Sequence, residues 1–111
     1  MVNFNYDLSP VHTGQKSFYG KARVYAYEHG SDTYYTLNSY GTPVVSVYVG
    51  PDNIPHIKRI WCGYSATTMR HVNELFQQHG FPKLSARAWR AMEYGEWYLP
   101  DEVPALEKYL K

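Results

Sequence analysis

The regular alternation of side chains over residues 18–29 is the feature that most constrains the fold. Even positions from Phe18 to Ala26 carry small or apolar residues, and the odd positions carry Tyr19, Lys21, Arg23, Tyr25 and Tyr27. A period of two residues is typical of a β-strand whose two faces differ. The turn signal Gly30-Ser31-Asp32 follows directly. The sequence therefore predicts a strand with one apolar face and one tyrosine-rich, basic face.

Three more short runs continue this pattern along the chain. Residues 33–39, 44–49 and 56–61 are rich in β-branched and aromatic side chains, and turn signals at 40–43 and 50–53 separate them. Short connections between successive strands favour antiparallel hairpins. The first two thirds of the chain therefore predict an antiparallel sheet of about four strands.

The periodicity then changes from two residues to that of a helix. Met69, Val72 and Phe76 recur at helical spacing after Ser65, whose hydroxyl is suited to an N-cap, and Gly80 is suited to the residue after the helix end. These signals predict a helix at 66–79. Ser85 predicts a second, shorter helix through about residue 94, and 101–111 predicts one or two terminal helical turns.

The order of elements, strands first and helices last, predicts the α+β class. We expect an antiparallel sheet of about four strands followed by two to three helices packed on one face. Residues 1–15 are interpreted as an irregular N-terminal arm with at most one short strand. Residues 16–111 are interpreted as a single α+β domain, which agrees with a length of 111 residues.

Charge and cysteine content narrow the classes of function. The net charge is +1 with histidine neutral, which disfavours a protein that binds polyanions mainly by charge. The only cysteine, Cys62, excludes a disulfide within the chain and a zinc site with two or more cysteines. No apolar run approaches the roughly 18 residues of a membrane span, and no secretory signal is visible. The expectation is a soluble cytoplasmic protein.

The start of the predicted 66–79 helix is a candidate anion site. Free backbone amides and a partial positive charge at a helix start attract anions. Further donors gather there: Ser65, Thr67, Thr68, Arg70 and His71. The alternative is that the hydroxyl groups cap the helix themselves, because no glycine-rich phosphate loop precedes it.

Signals for catalysis and metal binding are weak. Cys62 would act as a nucleophile only beside a base, for which His56 and His71 are the candidates, and a lone cysteine is more often a small buried apolar residue. His71 and His79 do not form the spacing of a zinc-binding helix, and no carboxylate completes a metal triad. The sequence predicts no catalytic residue, no metal and no cofactor, and a protein that is not an enzyme.

The tyrosine-rich face of the sheet is the stronger candidate for a binding surface. The chain contains 12 tyrosines, more than a core of this size can use. The residues expected to share this face are Tyr19, Lys21, Arg23, Tyr25, Tyr27 and Tyr48. Interleaved aromatic and basic side chains bind single-stranded nucleic acid by stacking and phosphate contacts, and they equally suit a protein partner. A third alternative is that the N-terminal arm or a second copy, in a homodimer, covers the face.

Two tryptophans near the C-terminus are expected to lie in different environments. Trp89 belongs to the apolar stripe of the second predicted helix and is expected in the core. Trp97 lies in an aromatic connector and is compatible with either core or interface.

Two segments resemble a family of small proteins from phages and other mobile elements of Gram-positive bacteria. They are L-N-S-Y-G-T-P-V-V at 37–45 and Y-S-A-T-T-M-R-H-V-N-E-L-F at 64–76. The residues that match its hairpin and helix motifs are Ser39, Tyr40, Thr42, Tyr64, Ser65, Thr67, Thr68, Arg70 and His71. The chain departs from the pattern at Gln77, where a longer apolar helix end is expected.

The resemblance implies a biological role for the protein but no specific reaction. Small single-domain phage proteins of this kind are often inhibitors of host defence, including anti-CRISPR proteins. The implied function is a non-enzymatic inhibitor whose partner is a host defence protein, most readily a CRISPR effector nuclease in the bacterial host cell. The alternative is an accessory protein of a mobile element that binds nucleic acid through the tyrosine-rich face.

Overall fold

The computed structural model describes residues 2–11, 17–93, 95–99 and 102–103. A single antiparallel sheet has its strands in chain order, from β1 at one edge to β6 at the other. The strands are β1 (Val2–Asp7), β2 (Ala22–His29), β3 (Asp32–Ser39), β4 (Thr42–Val49), β5 (Pro55–Arg59) and β6 (Trp97–Tyr98). The α+β class and the antiparallel sheet predicted from the sequence are therefore confirmed.

Tight turns explain the simple order of the central strands. Only Gly30 and Ser31 separate β2 from β3, and only Tyr40 and Gly41 separate β3 from β4. Tyr40 and Gly41 both have positive φ angles, 52° and 80°, which a type I′ hairpin turn requires. Such turns follow the natural twist of the strands, so each strand folds back beside its predecessor.

The two described helices begin where the sequence predicted. α1 spans Ala66–Gln78, and the Ser65 hydroxyl accepts a hydrogen bond from the Thr68 amide. α2 spans Ala86–Ala91, and Ser85 caps it in the same way by accepting from the Ala88 amide. α2 ends three residues before the predicted end, near 94. Neither helix, within the described ranges, has the length and apolar character needed to cross a membrane.

The core lies between the helices and one face of the sheet. The sheet contributes the buried residues Ala22, Val24, Leu37, Val45, Val47 and Ile57, and the helices contribute Met69, Val72, Leu75, Phe76, Ala88 and Trp89. Trp89 is fully buried, as predicted. The helices therefore cover a single face, and the opposite face has no helix on it among the described residues.

The sheet differs from the prediction in its number of strands, six instead of about four. β1 pairs along its whole length with β2, whereas the sequence predicted at most one short strand inside an irregular arm. β6 comes from the aromatic connector and pairs with β5 at Ile57 and Lys58. Both extra strands pair with partners distant in the chain, which local sequence patterns do not reveal. Apart from Glu102 and Val103, the predicted turns at 101–111 lie outside the described residues.

A buried arginine joins the last long strand to the helical layer. Arg59, at the end of β5, is only 6% exposed. Its guanidinium donates five hydrogen bonds, all to backbone carbonyl oxygens: Trp61, Cys62, Gly63, Trp89 and Met92. The Trp89 ring stacks on the guanidinium at 4.7 Å, and its indole N–H also donates to the Gly63 carbonyl, at 2.8 Å. All five donors of the arginine are satisfied, so its burial is compatible with a stable fold.

We predict that Arg59→Met lowers the free energy of unfolding by about 3 kcal/mol or more, because buried carbonyl groups lose their donors. Urea denaturation followed by circular dichroism measures this loss. Arg90→Met is the matched control, since Arg90 is exposed and its guanidinium stacks on the Tyr64 ring at the surface. Equal losses in the two variants would contradict a special role for Arg59.

Candidate functional site

The face of the sheet that points away from the helices is the first candidate site, and we call it the open face. The strand register identifies its members. They are Asn3, Asn5 and Asp7 on β1; Arg23, Tyr25, Tyr27 and His29 on β2; Asp32, Tyr34, Thr36 and Asn38 on β3; Ser46 and Tyr48 on β4; His56 and Lys58 on β5; and Trp97 on β6. Because side chains alternate between faces, the burial of their neighbours in the core fixes this whole set outward.

Aromatic rings form a continuous band across the open face. Tyr34 is central: its ring centroid lies 6.2 Å from Tyr27, 4.8 Å from Tyr48 and 6.5 Å from Trp97. Lys58 places its ammonium nitrogen 4.6 Å from the centre of the Trp97 ring. Tyr25 is 46% exposed, and Tyr34 and Trp97 are each 38% exposed. The band therefore offers rigid aromatic surface to another molecule.

A depression lies in the open face beside the edge strand β1. Its volume is about 360 Å³. Its walls are formed by Asn3, Phe4, Asn5, Tyr25, Ala26, Tyr27, Tyr34 and Thr36. Aromatic rings with amide and hydroxyl groups at the margin suit a partner that inserts a side chain or a planar ring.

The hydroxyl group of Tyr48, one of the rings of the aromatic band, has a fixed hydrogen-bond partner. It donates a hydrogen bond of 2.8 Å to a carboxylate oxygen of Asp32. That hydrogen bond, with smaller effects of burial and nearby negative charge, raises the pKa of Tyr48 to about 12. The phenol therefore stays neutral and keeps its orientation across the physiological pH range.

Charges on the open face cancel. Arg23 donates to the carboxylate of Asp7 at 2.7 Å and also hydrogen-bonds the side chain of Asn5. Asp32 and Lys58 add one charge of each sign. With two acidic and two basic residues, the open face is neutral overall when its histidines are neutral.

The structure brings together four of the six residues predicted for the partner-binding face. Arg23, Tyr25, Tyr27 and Tyr48 all belong to the open face. Tyr19, 74% exposed, lies in a tight turn before β2 with a φ of 52°, so it is outside the strands. Lys21 also precedes β2, which begins at Ala22. The alternation seen in the sequence continues beyond the strand itself, which explains why these two were included.

Sequence reasoning missed several members of the open face. Tyr34 could have been placed, because a two-residue loop at Gly30-Ser31 puts Tyr34 directly opposite Tyr27. His56 and Lys58 required the register between β4 and β5. Trp97 required the pairing of β6 with β5, a long-range contact without a local signal.

The second candidate site lies where the β3–β4 turn meets the start of α1. Ser39 and Thr68 place their hydroxyl oxygens 3.2 Å apart, and the Ser39 oxygen lies 2.8 Å from Nδ1 of His71. The Tyr40 and Phe18 rings contact the His71 ring, with centroids 5.8 and 4.6 Å away. The two segments that carry the phage-family resemblance are thus neighbours in the fold.

A pocket of about 240 Å³ opens at this junction. It is lined by Ser39, Tyr40, Thr42, Val44, Trp61, Ser65 and Thr68. Trp61 packs so tightly on the loop that a Cβ at Gly63 would lie 2.5 Å from its ring, so a residue larger than glycine would displace the tryptophan. The Ser65 hydroxyl accepts the Thr68 amide, which supports the capping role weighed against anion binding, whereas the Thr68 hydroxyl bonds the Ser39 side chain.

The remaining predicted anion-site residues differ in burial. Arg70 is exposed and Thr67 is half-buried, whereas His71 is only 1% exposed. Burial lowers the pKa of His71, and the positive charge of Arg70 lowers it further. His71 is therefore a packed, hydrogen-bonded neutral residue. Anion binding at this helix start stays a prediction.

Cys62 lies in an exposed loop, contrary to the buried alternative. Together with Arg59, Arg90, Met92 and Glu93 it lines an open cavity of about 550 Å³. His71 is hydrogen-bonded to Ser39, and His56 lies on the open face, so the structure does not support either histidine as a base for Cys62. In the described ranges, no three histidine, cysteine or acidic side chains gather into a group that could hold a metal ion.

We predict that the protein loses stability as the pH falls from about 7 to 5, below the ordinary histidine pKa of about 6.5. His71 and His79 both have pKa values lowered by burial, so the unfolded chain binds more protons than the folded one in this range. Urea titrations at several pH values measure the slope. His71→Gln should flatten it, and exposed His29→Gln should not. An unchanged slope in His71→Gln would contradict the assignment.

Comparisons with known proteins place the chain in a family. No curated protein and no solved structure matches it. The sequence pattern of a family of unknown function, DUF8033, matches residues 6–91, which include the strands from β2 to β5 and both described helices. Since this match spans well over half of the chain, the protein belongs to the DUF8033 family.

Proposed function

We propose that this protein is a non-enzymatic inhibitor that binds a host defence protein through the open face. The target we infer is a CRISPR effector nuclease in the cytoplasm of a bacterial host, and the protein would act on behalf of a phage or another mobile element. The observation that carries the binding role is the aromatic band of Tyr27, Tyr34, Tyr48 and Trp97, in which Tyr34 and Trp97 are exposed, together with the exposed Tyr25 on the same face.

The composition of the open face favours a protein partner. Tyrosine, tryptophan, asparagine and serine predominate there, and antibody binding loops rely on similar side chains. Rigid rings lose little entropy on contact, and amide and hydroxyl groups adapt to many polar partners. The tight hairpins hold these groups in place before binding, which lowers the entropic cost of association.

The neutral charge of the open face defines how such an inhibitor works. A mimic of DNA must be acidic to occupy the basic groove of a nuclease. The open face carries equal numbers of acidic and basic residues, so its affinity derives from ring packing and hydrogen bonds. The choice of a CRISPR nuclease as target rests on the phage-family resemblance of 37–45 and 64–76.

We predict that the protein blocks target cleavage by guide-loaded CRISPR nucleases of Gram-positive hosts when it is added before the DNA. Addition after the DNA should give less inhibition if the binding surface on the nuclease overlaps the DNA path. Tyr25→Ala combined with Tyr27→Ala should weaken inhibition by about tenfold or more, because aromatic anchors carry much of the energy of an interface. Dose–response curves of cleavage measure this change.

Tyr19→Ala is the matched control for this experiment, since it removes a tyrosine that is more exposed than Tyr25 but lies outside the strands. Circular dichroism and thermal unfolding verify that all variants are folded. Full inhibition by the folded double variant would contradict the role of the open face. Absence of inhibition across several nucleases, in either order of addition, would contradict the choice of target.

A second function, binding of single-stranded nucleic acid, is favoured by one specific contact. The ammonium nitrogen of Lys58 lies 4.6 Å from the centre of the Trp97 ring. The centroids of the Trp97 and Tyr48 rings are 5.9 Å apart. Neighbouring rings with a cation at the margin can stack bases and hold a phosphate.

We predict that, if this second function operates, affinity for labelled oligonucleotides falls as a power of the salt concentration, with about one factor per phosphate contact. Fluorescence anisotropy at increasing salt measures the slope, and Lys58→Gln should reduce it by about one. If no oligonucleotide binds, and if a complex with a protein partner does not weaken with salt, the second function is contradicted and only the inhibitor function remains.

A further inference from the structure

We propose that two copies of this protein pair through the outer edge of β1 and join their six-stranded sheets into one continuous sheet. The occupant of this edge is a second copy of the same chain. The two open faces then lie side by side on one surface, and neither face covers the other. The inference concerns a different part of the molecule from the proposed function and does not depend on it.

β1 is the long edge of the sheet and lacks the usual protection. It lies at one end of the strand order, and the other end is β6, which has only two residues. Proteins commonly protect a long edge with lysine, proline or a β-bulge. β1 has the sequence VNFNYD, without lysine or proline, and its register with β2 is unbroken over all six residues. The edge can therefore accept another strand.

Hydrogen bonds on the two sides of β2 show which backbone groups of β1 point outward. The Leu8 amide, directly after β1, donates to the Ala22 carbonyl at 2.9 Å, and the Tyr40 amide donates to the Lys21 carbonyl at 2.8 Å on the opposite side of β2. Because hydrogen-bonded pairs alternate in an antiparallel ladder, even-numbered residues of β2 bond β1 and odd-numbered residues bond β3. In β1, the even-numbered residues therefore bond β2, and the odd-numbered residues direct their N–H and C=O groups outward.

The outward groups, on Asn3, Asn5 and Asp7, fit a second antiparallel copy in one register best. With Asn5 of one copy opposite Asn5 of the other, Asn3 lies opposite Asp7, and Asp7 lies opposite Asn3. Each of these pairs can exchange two backbone hydrogen bonds, so this register uses every outward group of β1. A shift of two residues in either direction leaves one of the three residues without a partner in β1.

The charges of β1 are compatible with this register. Asp7 is the only charged residue of the strand, and it lies opposite the Asn3 side chain rather than opposite a second carboxylate. A carboxylate has several acceptor sites, so Asp7 can accept from this amide and keep its bond to Arg23. Like charges thus do not meet directly across the pair of β1 strands.

Aromatic side chains match on the other face of β1. Phe4 is 39% exposed although it lies on the same face as Tyr6, which packs against the core, and the two ring centroids are 6.3 Å apart. In the proposed register Phe4 lies opposite Tyr6 of the second copy, in a non-hydrogen-bonded pair, where side chains come closest. The second copy covers the exposed Phe4 ring with its own aromatic ring, and this contact occurs twice.

Pairing of two β1 edges also gives a closed assembly. A two-fold axis perpendicular to the sheet passes between the two Asn5 residues, so both copies use the same surface. The joined sheet ends at the two-residue β6 on both sides, and among the described strands it presents no further long edge. This closure favours a second copy over an unrelated extended peptide, because a single added peptide would have an unpaired outer edge of its own.

A proline substitution tests the proposal on the purified full chain. Asn5→Pro removes the outward N–H at the centre of the interface but keeps the bonds of the even-numbered residues to β2. Sedimentation velocity over a dilution series should show a wild-type dimer that dissociates on dilution. Asn5→Pro should raise its dissociation constant by about tenfold or more, since two hydrogen bonds are lost at the axis. Asn5→Ala is the matched control, because it removes the same side chain, keeps the N–H and should still dimerise.

Cross-linking tests the register by a second route. In a Cys62→Ser background, Asn5→Cys places one thiol on each side of the axis, with Cα atoms about 5.5 Å apart. A short bismaleimide reagent should therefore convert most of this variant into covalent dimers. Lys83→Cys in the same background is the control, because it places an exposed thiol between α1 and α2, outside the sheet, and should give few dimers.

A wild-type protein that is monomeric up to its solubility limit would overturn the proposal. Equal dissociation constants for Asn5→Pro and Asn5→Ala, with both variants folded by circular dichroism, would overturn it as well. If Asn5→Pro does not fold, the cross-linking comparison decides, and equal yields for Asn5→Cys and Lys83→Cys would contradict the β1 interface. Since none of these measurements includes a nuclease, their failure is distinct from failure of the inhibitor function.

Discussion

The hydrogen bonds of Arg59 join the sheet to the loop and the short helix that follow it in the chain. The guanidinium joins the end of β5 to the 61–63 loop and to the end of α2. The backbone carbonyl of the same residue accepts the Gly95 amide at 2.8 Å, which leads the chain into β6. With the Arg59 side chain directed into the helical layer, strand alternation forces Lys58 outward beside Trp97. One buried residue thus contacts both the helical layer and the segment that leads into the edge strand β6.

A second buried polar side chain, on α1, also bonds a backbone group distant in the chain. Glu74, on α1, is fully buried and accepts the Val11 amide at 2.7 Å and the Gln78 side chain at 2.8 Å. Gln78 also donates to the Ser9 carbonyl. Arg59 therefore binds carbonyl groups of the 61–63 loop and of the end of α2, and Glu74 binds an amide of the segment after β1. They stabilise loops that a small apolar core alone would not hold.

The sequence was most informative where structure is decided locally. Ser65 and Ser85 cap their helices as predicted, and the alternation of β2 correctly separated Tyr25 and Tyr27 from the core. The edge strands were not predictable in the same way. β1 and β6 pair with strands distant in the chain, and β6 has only two residues. The burial of Arg59 also had no local signal, because only the folded chain brings five carbonyl groups around it.

The centre and the margins of the open face are held in place by different contacts. Its central tyrosines are fixed by tight hairpins, while its margins, Asp7 on β1 and Trp97 on β6, come from edge strands. Those edge strands contribute to the core only through partly buried residues such as Tyr6 and Tyr98. Changes at the margins therefore alter the charge and shape of the face at little cost to the core. The surface of the open face can therefore vary at its margins while the fold beneath it stays the same.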